Sequence, residues 1–216
     1  MPSLAHPPTW RLALAGLGLA LASLLGGCAS VIRLDHDVRS YAQWPATERP
    51  AAGDRFRFER LPSQQTHAQA QGRLESLVAE RLGAWGLVPE PQGTESAKWS
   101  VEVSARAQRL PHAPWESPFD PWPGPGLAGR DYVVTGSGQV VWMPLFVRMP
   151  TPYHQRELSI VLRDRRTGAV VYESRAAHDG PWPDRPAFWA ALVEAALNGF
   201  PEPPSGGRRV VTEVPR

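Results

Sequence analysis

Leu158-Ser159-Ile160-Val161-Leu162-Arg163-Asp164-Arg165-Arg166-Thr167-Gly168-Ala169-Val170-Val171-Tyr172 reads as two strands joined by a turn. Glu157 to Arg163 alternates through Leu158, Ile160 and Leu162, so one apolar row lines one face. Asp164 to Gly168 has turn chemistry, with an acid at its start and a glycine at its end. Val170 to Ser174 brings the chain back. Strands that alternate in polarity bury one face and wet the other, which fits an antiparallel hairpin.

The same alternation recurs upstream. Arg55 to Leu61 places Phe56, Phe58 and Leu61 as a half-buried strand, stopped by Pro62. In Lys98 to Leu110, Trp99, Val101, Val103, Ala105 and Ala107 point one way. Glu102, Ser104, Arg106 and Gln108 point the other way. Arg130 to Met143 supplies further strand, interrupted at Gly136-Ser137-Gly138 by a bend or bulge. Val31 to Trp44 reads as a short tether or first strand.

Two stretches have helical period instead. Leu74, Leu77, Val78, Leu82 and Trp85 lie on one face of a helix over 64–85, with Ser63 as N-cap and Gly86 as stop. Phe188, Trp189, Leu192, Val193, Ala196 and Leu197 form the face of a second helix over 184–199. Asp184 is its expected cap, and Pro186 lies in its first turn. The expected fold is α+β, an antiparallel or mixed β-sheet with two amphipathic helices packed on one face. Residues 55–204 are expected to form a single domain carrying a Pro/Trp-rich loop at 111–129. Residues 28–54 precede it as anchor, tether and first strand, and 205–216 follow as a polar tail.

Composition narrows the function classes. Hydrophobic content is 42% and charged content 20% in 216 residues, which is globular rather than disordered. A net charge of +2 gives no reason to propose nucleic acid. Twenty-four prolines, about twice the usual share of about 5%, cluster in stiff loops.

The first 27 residues read as an export signal. Arg11 precedes the apolar run Leu12–Leu25, too short for the roughly 20 residues of a membrane span. The run ends in Leu25-Gly26-Gly27-Cys28, which resembles the bacterial lipobox. That resemblance implies thioether attachment of diacylglycerol to Cys28, cleavage before it and acylation of the new amino group. Cys28 is the only cysteine, so no internal disulfide exists and lipidation would consume the lone thiol. Ala29 in place of an acid at the next position favours the outer membrane, facing the periplasm.

Several segments together resemble the domain of unknown function 4136 family of bacterial lipoproteins. They are the lipobox, the early strand Leu34-Asp35-His36-Asp37 and the helix end Leu82-Gly83-Ala84-Trp85-Gly86-Leu87. The strand 97–103, the hairpin 158–172 and an Ala/Leu-rich helix running into Phe200-Pro201 complete the set. The family carries no established activity, so no residue role transfers; the resemblance implies an anchored envelope protein.

Candidate chemistry is sparse. In Asp35-His36-Asp37 only the two carboxylates can share a strand face, and all three read as solvated. No second histidine stands at metal-site spacing. Gly136-Ser137-Gly138 lacks the spacing and the strand-to-helix setting of a nucleophile turn. His112, His154 and His178 read as surface residues in or beside Pro-rich loops. No catalytic residue, metal ligand or cofactor is assigned. Trp115, Phe119 and Trp122 stand in a proline-stiffened loop and are the expected partner-binding surface; the same loop could instead fold back over the sheet. The expected function is a membrane-anchored periplasmic lipoprotein, a non-enzymatic binding or scaffolding protein for an envelope protein or glycan. The alternatives are an envelope hydrolase or a glycan-binding module using the Trp/Pro-rich loop.

Overall fold

The computed structural model describes residues 31–45, 48–91, 96–115, 126–134, 136–148 and 152–216, with the backbone alone at 126–133 and 142–148. Its strands are β1 (Val31–Ala42), β2 (Arg55–Phe58), β3 (Val88–Pro89), β4 (Trp99–Leu110), β5 (Gly126–Val134), β6 (Val140–Arg148), β7 (Tyr153–Asp164), β8 (Val170–Gly180) and β9 (Gly206–Pro215). Its helices are α1 (Pro62–Gln65), α2 (Ala68–Ala84) and α3 (Pro186–Ala196). Residues 34–212 form one compact unit, and 31–33 and 213–216 fall outside it.

Seven strands make one mixed sheet in the order β3-β2-β4-β7-β8-β1-β9. β2 runs parallel to β3 and β4, while β4–β7, β7–β8 and β8–β1 are antiparallel. The fold is therefore α+β. Alternation decides the faces: Leu34, Val38, Val101, Val103, Leu158, Ile160, Leu162, Tyr172 and Ala176 are buried. Leu74, Val78 and Leu82 of α2 and Leu192, Ala195 and Ala196 of α3 join them in one core cluster. The opposite face is wet and carries ion pairs such as Arg175–Glu157 at 3.1 Å.

The β7–β8 hairpin forms through its turn. The Asp164 carboxylate accepts from the backbone N–H of Arg166 at 2.7 Å and of Thr167 at 3.2 Å. Gly168 takes φ +75°, which a side chain would disfavour. At this same end of the sheet, the last turn of α3 rests on sheet hydroxyls. Tyr172 Oη and Ser174 Oγ both donate to the Ala196 carbonyl, one of the orphan acceptors of a helix end.

Four local expectations change. The first helix is split into α1 and α2, because His67 leaves helical geometry (φ −116°, ψ 40°). Asp184 does not cap α3; its carboxylate is engaged elsewhere, as described below. The loop expected over 111–129 gives way to strand at Gly126, where β5 begins a two-stranded hairpin with β6 that is separate from the main sheet. The polar tail at 205–216 contains β9, so the sheet extends past 204. Gly206, Arg208, Val210, Thr212 and Val214 are its less exposed positions, a row with only two large apolar residues.

If β9 is structural, a chain ending at Ser205 should melt on the order of 5–10 °C lower than the full chain, because several kcal/mol of pairing is lost. An unchanged melting temperature by circular dichroism would mean that the segment is a tail after all.

Candidate functional site

The helix-covered face of the sheet is not fully covered. On β4 the large residues Trp99, Val101 and Val103 give way to Ala105 and Ala107. Here α2 and the start of α3 diverge and leave an open trough of about 790 Å³. Leu61, Leu74, Leu77, Pro186 and Trp189 form its walls and Ala105 its floor. That volume falls within the usual range for ligand sites of about 300–1,000 Å³.

Several polar groups in the trough are already engaged. Gln64 Nε2 and Gln71 Nε2 both donate to the Val103 carbonyl, at 2.8 and 2.9 Å. Gln71 also donates to Glu75, whose carboxylate receives a two-pronged contact from Arg60 at 2.7 and 2.5 Å. Asp184 accepts from Arg156 Nε at 2.7 Å and from the Trp189 indole at 3.3 Å. The rim cations differ. Arg73 and Arg185 are exposed and make no ion pair among the described residues.

Beside the trough a buried polar row crosses the sheet. Arg156 faces His178 across β7–β8, and the β1–β8 register places His36 next to His178. The Arg156 side chain is 1% exposed. It is held by Asp184, by the Trp182 carbonyl at 2.8 Å and by the Phe188 ring, 5.1 Å away. The two imidazoles lie 5.2 Å apart and are tilted by 51°. His36 Nε2 bonds Thr212 Oγ1 at 2.7 Å, and His178 Nδ1 bonds the Asp35 carbonyl at 2.9 Å. His36 Nδ1, His178 Nε2 and Arg156 Nη1 are buried with no partner among the described residues. Burial lowers the His36 pKa from 6.5 to about 4; His178 adds to the drop and Asp35 opposes it.

The residues singled out from sequence are scattered. Asp35 and Asp37 are exposed on one face, as strand alternation requires, but His36 is buried rather than solvated. His178 is buried too, because β8 continues past Ser174 to Gly180. His112 is partly buried and its Nδ1 lies 3.1 Å from the Ala113 carbonyl; His154 stands opposite Arg109 on β4. Among the described residues no three His, Cys, Asp or Glu side chains converge as a metal site. Trp115 is 71% exposed and packs edge-on against Tyr153 at 5.1 Å. Tyr153 itself is buried, and that burial, with a contribution from Asp179, pushes its pKa up to about 12. Cys28, Phe119 and Trp122 lie outside the described residues. Among those described, no helix is long and apolar enough to cross a membrane.

Residues 38–202 match the family described as "Domain of unknown function (DUF4136)", and the chain belongs to it. No curated protein matches the chain. Among solved structures it is similar to a PDZ domain protein from Parabacteroides distasonis, at 11% identity and a TM-score of 0.49. That match covers 91% of this chain and 42% of the other, so the chain spans less than half of that protein. It is also similar to a PelC dodecamer from Paraburkholderia phytofirmans, at 15% identity and a TM-score of 0.41, covering 78% of this chain and 99% of that one.

Asp184→Ala should cost about 3 kcal/mol, since it strips a buried guanidinium of its carboxylate; chemical denaturation measures this, and a loss below about 0.5 kcal/mol would show that Trp182 and Phe188 suffice. The histidine row gives a pH dependence. With its folded pKa below the unfolded value, His36 favours unfolding once the unfolded chain takes up a proton that the folded chain refuses. Its stabilisation is complete above about pH 6.5 and lost as pH falls towards about 4. The titratable or charged groups facing it are His178 on β8, Arg156 with Asp184 beyond it, and Asp35 on β1; its β9 partner Thr212 does not titrate. Melting temperatures between pH 7 and pH 4.5 should therefore fall less steeply in His36→Gln than in the parent.

Proposed function

We propose that this chain is a lipid-anchored protein of the bacterial envelope that acts by binding a partner rather than by catalysis. The observation that carries this is the apolar run Leu12–Leu25 ending at Leu25-Gly26-Gly27-Cys28, in a chain with no other cysteine. A thiol left free in an oxidising compartment is reactive, and acylation removes it. One acyl chain anchors weakly, whereas the three that such lipoproteins carry hold a protein to the bilayer for its lifetime. Ala29 favours the outer membrane, with the domain in the periplasm.

Trp115 supports the binding half of the proposal. A tryptophan 71% exposed on a proline-stiffened segment is costly in water and suited to being covered. It packs on Tyr153, at the end of the sheet where Leu34 begins the compact unit. Extended chain from Leu34 back to Cys28 reaches at most about 20 Å. An anchor at Cys28 would therefore keep this end of the sheet near the membrane surface, with Trp115 available to a partner there.

Cys28→Ser should leave an unprocessed precursor without lipid, read by metabolic labelling with an alkyne fatty acid and by its mobility on gels. Normal processing and retention of the serine variant in washed membranes would refute the anchor. Trp115→Ala should lower capture of crosslinked envelope partners in intact cells while the melting temperature holds; equal capture would exclude that residue from the surface.

A further inference from the structure

β4 is a strand with only half a neighbour on one side. β2 pairs with it only from Trp99 to Val101. The next residue on that side, Glu59, donates its N–H to the Val101 carbonyl at 3.0 Å. The Val103 carbonyl points the same way and is taken by the amides of Gln64 and Gln71. Backbone groups alternate along a strand, so Ala105, Ala107 and Arg109 direct their N–H and C=O groups to this side as well. None of the three has a backbone partner there among the described residues, and all are exposed. On its other side β4 is fully paired with β7 as far as Leu110↔Tyr153. The result, among the described residues, is a sheet edge open over 105–109 beside the trough.

Charge along this edge has one sign. Arg73 on α2, Arg109 on β4 and Arg185 before α3 make no ion pair among the described residues. On the same or neighbouring elements Arg60, Arg81, Arg156 and Arg175 each have a carboxylate. Asp184, the acid of the trough, is already engaged by Arg156.

We infer that the open half of β4 receives an added strand from an extended acidic peptide of a partner protein. Its main chain would pair with Ala105, Ala107 and Arg109. Alternate side chains of an added strand fall on the helix side of the sheet, where the trough takes apolar groups. Carboxylates on that same row of side chains, before and after the apolar ones, would meet Arg73, Arg109 and Arg185. This rests on the chain being a binding protein and not on its anchor, and Trp115 is not part of it.

The test uses the full chain and a fluorescein-labelled peptide in which every second residue is threonine and the row between them runs Glu-Val-Val-Val-Glu, read by anisotropy. A peptide with lysine for glutamate and one with proline for alternate valines serve as controls. Ala107→Pro removes an edge N–H that the β4–β7 ladder does not use, so the fold should survive; Ala107→Val keeps the N–H. The acidic peptide should bind, and Ala107→Pro should weaken it at least tenfold while Ala107→Val does not. Arg73→Glu with Arg109→Glu should weaken the acidic peptide and favour the lysine peptide. Cys28→Ser and Trp115→Ala should bind as the parent does, which separates failure here from failure of the anchor or of the tryptophan surface. Absence of binding by the parent, equal binding of the lysine peptide, or equal binding by folded Ala107→Pro would overturn the inference. So would a dansyl fatty acid that fills the trough and excludes the peptide without itself responding to the arginine reversals.

Discussion

The guanidinium of Arg156 is almost wholly removed from water, and the arrangement of α3 follows from that. A buried cation needs an acid and hydrogen-bond acceptors close by. Asp184 and the Trp182 carbonyl supply them, and both lie in the segment leading into α3. The helix must therefore start over the beginning of β7, with Phe188 beneath the guanidinium. Its other end is fixed by Tyr172 and Ser174 on the Ala196 carbonyl. Held at both ends, α3 has little freedom to slide towards α2.

The position of α2 has a separate origin. Gln71 reaches the Val103 carbonyl, and Glu75 is clasped by Arg60 from the segment after β2. The two helices are thus placed by independent polar contacts, and the small residues Ala105 and Ala107 do not fill the gap between them. The trough is the space that remains. Near the β7–β8 turn the cover is aromatic: Trp44 packs on the rings of Trp99, Tyr172 and Phe200, and its indole donates to the Pro201 carbonyl at 2.7 Å.

Much of the fold was legible because burial on one face leaves a period of two. The β7–β8 turn declared itself through Asp164 and Gly168, and the main apolar rows were readable on β4 and β7. What escaped was strand built from small or polar inward residues. Ser174, Ala176, His178 and Gly180 continue β8 without a large apolar residue, and on β9 Val210 and Val214 share their row with Arg208 and Thr212. His36 looked solvated because its two neighbours are acids, although its place between Leu34 and Val38 in the alternation pointed inward. The trough draws on three separated segments, so no local pattern announces it; the fall from Val103 to Ala105 and Ala107 is its one trace. The lipobox shows the reverse case, a motif read by enzymes and independent of the packing of the domain.

Leu110 and Tyr153 stand directly opposite each other in the β4–β7 ladder. The whole of 111–152, including the β5–β6 hairpin, is therefore an excursion whose two ends are held together by the sheet itself. Closing a longer loop between fixed ends costs only about 0.6 kcal/mol for each doubling of its length. Natural variation can lengthen, shorten or recompose this stretch while the scaffold beneath keeps its register. Relatives built on one sheet could in this way diverge in whatever they present beyond its end, without renegotiating the core.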